Sequence, residues 1–222
     1  MKTDNAAQTE KTDRRVGWKQ APDDVRANIL DTAQKEFAEN GFSGARVDAI
    51  AARTKTSKRM LYYYFGNKEQ LYLEVLRASY QEVRTAEQSL NLETLAPDDA
   101  MRQIVRFTVN HHVANPDFIR LVMIENIHHG RFIRQLNEIQ ELNAGAIRSL
   151  EKIYKAGCAA GLFRKDIKPI DIHWLISALA FFSVSNQATF GWLFEKYLTG
   201  ARADLADSLG EDIVLRFLAN HG

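Results

Sequence analysis

Four prolines, at positions 22, 97, 116 and 169, punctuate the chain, and each stands between stretches of helical periodicity, never inside one. Proline lacks a backbone donor and clashes with the preceding turn, so it belongs at the start of a helix or in the link before it. The chain is thus cut into helix-length blocks. Alternating β-branched runs, and Asn-Gly turns flanked by such runs, are missing, which leaves no good strand candidate. The expected class is all-α, with about nine helices.

Apolar residues spaced by three and four mark the blocks. Val25, Ile29, Ala33 and Phe37 form one stripe on a helix that opens at Asp23-Asp24 and closes at Asn40-Gly41. Acids suit the positive end of the helix dipole, and glycine suits a left-handed exit. Two short pieces follow, Val47 to Arg53 and Ser57 to Phe65, separated only by Thr54–Thr56; this is a helix, a tight turn and a helix. Asn67 is placed to cap a fourth helix, with Gln70 at its third position. Asn115 is placed to cap a short helix at Pro116. A long helix is expected from about Phe132 to Gly161. Pro169 opens the most hydrophobic one, and the last carries Leu205, Leu209, Ile213 and Phe217.

The 222 residues are enough for one or two domains. Residues 1–20 are polar and aperiodic, as expected of a disordered basic arm. Residues 21–70 group as one domain and residues 71–222 as a larger one. Cys158 is the only cysteine, which excludes an intrachain disulfide and a thiolate zinc cluster and suits a reducing cytosol. The first twenty residues hold no apolar run that could act as a secretory signal, and Trp174 to Val184 is short of the ~20 residues that span a bilayer. A cytoplasmic protein with no membrane partner is expected.

The formal net charge of +1 argues against a uniformly basic coat, yet it hides a patch. Residues 41–70 hold Arg46, Arg53, Lys55, Lys58, Arg59 and Lys68 against only Asp48 and Glu69, whereas residues 21–40 and 71–222 are each net acidic. In the second helix of the pair, Leu61, Tyr64 and Phe65 are placed to face the core, leaving Ser57, Lys58, Arg59, Tyr62 and Tyr63 outward. A major groove about 12 Å wide admits one helix, and such side chains offer base-edge donors, phosphate donors and flat apolar surfaces. Asn67 and Lys68 can hold a phosphate at the next helix start. On charge and spacing alone, a surface hairpin that happens to be basic remains the alternative, as in a helical carrier whose hairpin meets a protein partner.

The stretch Ile29–Leu76 contains Phe37…Gly41-Phe42, Val47…Ile50-Ala51, Ser57…Leu61-Tyr62-Tyr63-Tyr64-Phe65 and Asn67-Lys68-Glu69…Leu71. In this register it resembles the DNA-binding domain of TetR-family transcriptional regulators. Two departures stand out. Ala45-Arg46 replaces the usual Thr-Thr, removing a hydroxyl cap, and Lys55-Thr56 replaces the usual Gly-Val, putting a side chain where a left-handed residue is often needed. The resemblance implies a homodimer that binds a palindromic double-stranded DNA operator through a helix-turn-helix. It also implies repression that is released when a small-molecule inducer enters the C-terminal domain. Arg46, Val47, Ser57, Lys58, Arg59, Met60, Tyr62, Tyr63, Asn67 and Lys68 are the DNA-contact candidates. The C-terminal part is only weakly similar; its helix order around Asn115-Pro116 and Glu125 is similar to the RutR type.

The helix from Pro169 is apolar nearly all round, as if buried on two sides. Trp174, Ser177, Phe181 and Val184 form one stripe; Ile172, Leu175, Leu179, Phe182 and Asn186 form another. One can line a pocket and the other face a partner subunit with the last helix, or both can fill one core. Phe107, Thr108, His111 and Met123 join the Trp174 stripe as ligand-binding candidates, since a pocket needs apolar walls and a few polar groups. His111-His112 and His128-His129, with Glu125 and His173, raise the question of a metal. Adjacent helical residues diverge by about 100°, so no pair chelates simply, and neither metal nor cofactor is expected. Glycine-rich phosphate loops, a Gly-x-Ser-x-Gly elbow and a His-Glu-x-x-His helix are absent, so no enzyme is expected.

Overall fold

The computed structural model describes residues 22–198 and 202–220, without the side chains of 202–207, so the basic arm and the Leu205 side chain lie outside the described residues. The helices are α1 (Pro22–Gly44), α2 (Val47–Arg53), α3 (Lys58–Phe65), α4 (Lys68–Gln88), α5 (Pro97–Ala114), α6 (Pro116–Ile127), α7 (Asn137–Ala159), α8 (Pro169–Ser185), α9 (Gln187–Leu193) and α10 (Arg202–Leu218). All four prolines begin a helix, where a fixed φ and a missing N–H cost nothing. Among the described residues there is no strand, only an isolated antiparallel bridge between Phe163 and Ala219. The chain is all-α, with an N-terminal helix-turn-helix and a larger C-terminal helical part.

Ten helices replace the expected nine among the described residues, the addition being α9. Asn186 stops α8 at φ −100°, ψ 4°, and the seven residues after it are too few to display a periodic stripe. The long helix also starts later than periodicity suggests. Leu136, at φ −112°, ψ 76°, separates a single 3-10 turn over Ile133–Gln135 from α7. This break frees Phe132 to turn into the N-terminal core, where it is buried against Phe42 and Tyr72 at ring separations of 4.4 and 5.0 Å. Asn115 does not cap α6. Its amide nitrogen instead donates to His111 O at 2.9 Å, closing α5.

Two main cores result. In the first, Ile29 and Phe37 of α1, Ile50 of α2, Leu61 and Phe65 of α3, and Leu71, Tyr72 and Val75 of α4 pack together. Leu121 of α6 and Phe132, Leu136 and Ile139 of the following segment belong to the same core. The first half of α4 therefore packs with α1–α3, and the expected division at residue 70 falls inside this packing unit, the candidate reading head. The second core joins α5, α7, α8 and α10 through Met101, Ile104, Leu150, Ile153, Ile172, Ile176 and Val214. On α8 the buried line is Ile172, Ile176 and Ala180, while Trp174 and Phe182 remain exposed on either side.

Gly157 makes the α7 end possible. A Cβ built there would stand 2.0 Å from the Phe163 ring, which is buried and cannot withdraw. Gly157→Ala is expected to destabilise the protein by about 2–3 kcal/mol through overpacking, read as a lower urea midpoint. An unchanged midpoint would show that this corner repacks freely.

Candidate nucleic-acid interface

The pair α2–α3 is held by contacts with α1 and within its own turn. Arg46, at the N-cap of α2, has no side-chain cap; Glu36, buried on α1, fills that role by accepting from Arg46 N at 3.0 Å. A carboxylate at a helix N-terminus satisfies a free donor and suits the dipole, so the missing threonine hydroxyl is replaced from a neighbouring helix. Glu36 also faces Arg53 at 3.4 Å. The turn is left-handed at Lys55, φ 53°, a conformation that disfavours most side chains. Thr54 Oγ1 donates to Ile50 O at 2.9 Å, and Thr56 N donates to Ala51 O at 3.0 Å; together they hold the turn around that residue.

Ser57 starts α3, its hydroxyl accepting from Met60 N at 3.2 Å. Leu61 and Phe65 are buried and Tyr64 half-buried, while Lys58, Arg59, Met60, Tyr62 and Tyr63 are exposed, Tyr63 to 77%. Arg46, Lys55 and Arg59 make no ion pair among the described residues. Lys58 meets Asp48 at 3.0 Å, which raises its pKa through that hydrogen bond and charge. An exposed pair of this kind is worth little, so the ammonium can exchange Asp48 for a phosphate. Asn67 caps α4 by accepting from Gln70 N at 2.9 Å. Lys68 lies over the Phe42 ring and donates to Ser43 O at 3.3 Å, with burial pulling its pKa down. Val47 is the exception among the contact candidates. It is the first residue of α2 and its side chain is 8% exposed within the core, so it does not share the exposed face.

The reading head is joined to the rest of the protein through Glu125. This carboxylate, 4% exposed at the end of α6, accepts from Tyr72 Oη at 3.0 Å, Phe132 N at 3.2 Å and Ile133 N at 2.9 Å. Burial and the Glu125 charge push the Tyr72 phenol far up, so it remains a donor.

The same α6 helps wall a cavity of about 350 Å³ between α4, α5, α6 and α8. Phe107, Thr108, His111, Trp174, Ser177 and Phe181 line it. Met123 and Val184 do not; both pack on the neighbouring cluster of Val83, Phe118 and Ile119. The cavity also takes Tyr80, Arg84 and Glu87 of α4, Phe118 of α6, His112 and His173. Spacing of four and three places residues 80, 84 and 87 on one helix face, a signal available in the sequence. Burial keeps all three imidazoles below their ordinary pKa, His112 down to about 4, and pushes the Glu87 carboxyl up. Among the described residues no three His, Cys, Asp or Glu side chains are grouped to hold a metal ion, and no helix is long and apolar enough to cross a membrane.

Residues 29–75 match the family described as bacterial regulatory proteins, tetR family, and residues 97–207 match the tetracyclin repressor-like C-terminal domain. The chain is 36% identical over 213 residues to the HTH-type transcriptional repressor NicS of Pseudomonas putida, covering 96% of each protein. It is 34% identical over 97 residues to the HTH-type transcriptional regulator RutR of Escherichia coli, 44% of this chain and 45% of RutR. Among solved structures, the putative transcriptional regulator SCO4942 from Streptomyces coelicolor superposes with a TM-score of 0.67 at 26% identity, covering 85% of this chain and 97% of that one. With both parts of the chain matched and a relative similar over nearly its whole length, the protein belongs to the TetR family of bacterial transcriptional regulators.

Proposed function

We propose that the protein is a cytoplasmic, homodimeric repressor that binds a palindromic operator through α3 and releases it when a small molecule enters the cavity beneath α4. The observation that carries the DNA reading is the exposed face of α3. Tyr62 and Tyr63 stand there among Lys58 and Arg59, over a buried Leu61 and Phe65. A solvated helix face gains nothing from exposing two tyrosines, whereas a groove-reading helix uses them on bases and sugars. Dimerisation is supported by apolar side chains left uncovered on the last helices. They include Phe182 of α8, Trp192 and Leu193 of α9, Tyr197 beyond it, and Leu209 of α10. Large apolar side chains left exposed on neighbouring elements favour an interface. The relatives named as repressors favour repression over activation.

The test is selection of fragments from the protein's own genome, followed by fluorescence anisotropy at moderate salt. Selected fragments are expected to bind at least about 10³-fold more tightly than random duplex and to share an inverted repeat. Tyr63→Ala is expected to change which sequence is preferred. Lys68→Ala is expected to weaken all duplexes alike and lower the salt slope by roughly one. Equal affinity for selected and random fragments overturns the operator reading.

A further inference from the structure

The cavity beneath α4 holds an imbalance of donors and charge. Arg84, on α4, gives one guanidinium nitrogen to Glu87, but its Nε is buried and has no partner. His111 Nδ1 is likewise buried without a partner, and His112 Nδ1 makes no well-formed hydrogen bond although the Thr108 backbone lies close to that ring. A guanidinium N–H can only donate, so what Arg84 Nε lacks is an acceptor. Unsatisfied buried polar atoms of this kind cost about 1–3 kcal/mol each, and a cavity that carries them is suited to something that supplies the missing partners.

The charge of the lining can move in only one direction. Arg84 and Glu87 cancel each other, and the guanidinium cannot lose its proton. The groups that can change state are Glu87 on α4, His111 and His112 on α5, and His173 on α8, and each of them can take up a proton when an anion arrives. Tyr80 is held neutral by burial, Glu82 acts on His111 from outside the lining, and α6 and α7 contribute no titratable side chain. The lining can therefore offset an added negative charge by taking up a proton, whereas the fixed positive charge of Arg84 disfavours an added cation. Around these groups stand the flat side chains of Tyr80, Phe107, Phe118 and Phe181.

We propose that the cavity takes a small organic carboxylate with a flat apolar body, its oxygens received by Arg84, His111 and His112 and its body packed among the aromatic walls. The proposal rests on the reading of this cavity as the ligand site. The arriving carboxylate competes with Glu87 for Arg84, and a proton taken from solvent lands on Glu87 or on a facing imidazole. Binding is thus coupled to proton uptake, in the direction in which burial already pushes the Glu87 carboxyl.

Isothermal titration calorimetry on the whole protein at pH 7, with a panel of monocyclic carboxylates and the matching amides and amines as probes, tests this directly. Carboxylates are expected to bind at least about tenfold more tightly than either neutral or cationic counterparts. Their heats in phosphate and in Tris should differ by the ionisation enthalpies of the buffers, showing proton uptake. The double variant Arg84→Gln/Glu87→Gln avoids stranding one buried charge and is expected to lose the carboxylate preference. Amides or amines that bind as well as carboxylates overturn the anion assignment while leaving a ligand cavity in place. Carboxylate affinity unchanged in the double variant overturns the role of Arg84. Failure of every probe class to bind overturns the assignment together with the ligand reading on which it rests.

Discussion

Replacing Glu125 by leucine is expected to cost about 3 kcal/mol or more of folding stability, among the largest effects of any single substitution in this protein. The carboxylate accepts three hydrogen bonds, from the buried Tyr72 phenol, the buried N–H of Phe132 and the part-buried N–H of Ile133. A leucine fills similar space but leaves all three donors without a partner, and each orphan costs about 1–3 kcal/mol. Tyr72→Phe removes one bond and leaves Glu125 two donors, so it should cost only about 1 kcal/mol. Urea unfolding of both single variants and the double variant checks this. The double variant should lie well short of the sum of the two, because the tyrosine donor is lost only once. A Glu125→Leu cost below that of Tyr72→Phe would show that the carboxylate is not the organising group. Because Tyr72 sits in the reading-head core with Phe37 and Phe42, this site also ties the orientation of α1–α3 to α6, which walls the cavity.

Acid sensitivity is the second large effect. Burial holds the His112 imidazole neutral down to about pH 4, with His111 beside it and Arg84 nearby opposing a second positive charge. In the unfolded chain a histidine titrates near 6.5. Between these values the unfolded state binds the proton that the folded state refuses, so stability rises with pH across this window and is lost as pH falls from about 6.5 to 4. For His112 the loss is on the order of 3 kcal/mol when the lower limit is reached. His111 and His173 are shifted the same way by burial and add to the loss, whereas Glu87, pushed up by burial, works against it. Urea midpoints recorded across this range should fall steeply for the native protein and less for His112→Gln. Imidazole resonances followed by NMR should show one histidine still neutral near pH 5. A His112 that titrates at 6.5 would mean that water reaches the ring and that no such loss occurs.

The reading head was legible in the sequence to an unusual degree, because its determinants are local. Ser57 and Asn67 cap their helices through side chains three residues from the N–H they accept from, and Gly41 takes φ 67° at the end of its stripe. Leu61 and Phe65 lie one turn apart and are buried together, which leaves Tyr62 and Tyr63 outward by the 3.6-residue period alone. Where the structure differs from the sequence expectation, the choice lay between two helix ends or between surface and core. Asn115 had two helix ends within reach and closed α5. Val47 looked like a contact by its place in the motif and was claimed by the core. Arg46 has its cap from Glu36, ten residues away on another helix. For the cavity, α5 and α8 residues were nominated from their periodic stripes, but Arg84 and Glu87 were not, because a charged pair on a helix reads as a solvated face until other helices close over it.

By itself, the sequence determined the helical class, the four proline-marked helix starts, the basic aromatic helix and its family, since each follows from chemistry within a turn or two of backbone. Tertiary structure alone decided that Phe132 belongs to the reading-head core, that Glu125 bridges it to α6, and that Arg84, Glu87 and three histidines line one cavity. Those depend on which surfaces exclude water together, and burial is a property of the packed assembly of helices, not of any one of them.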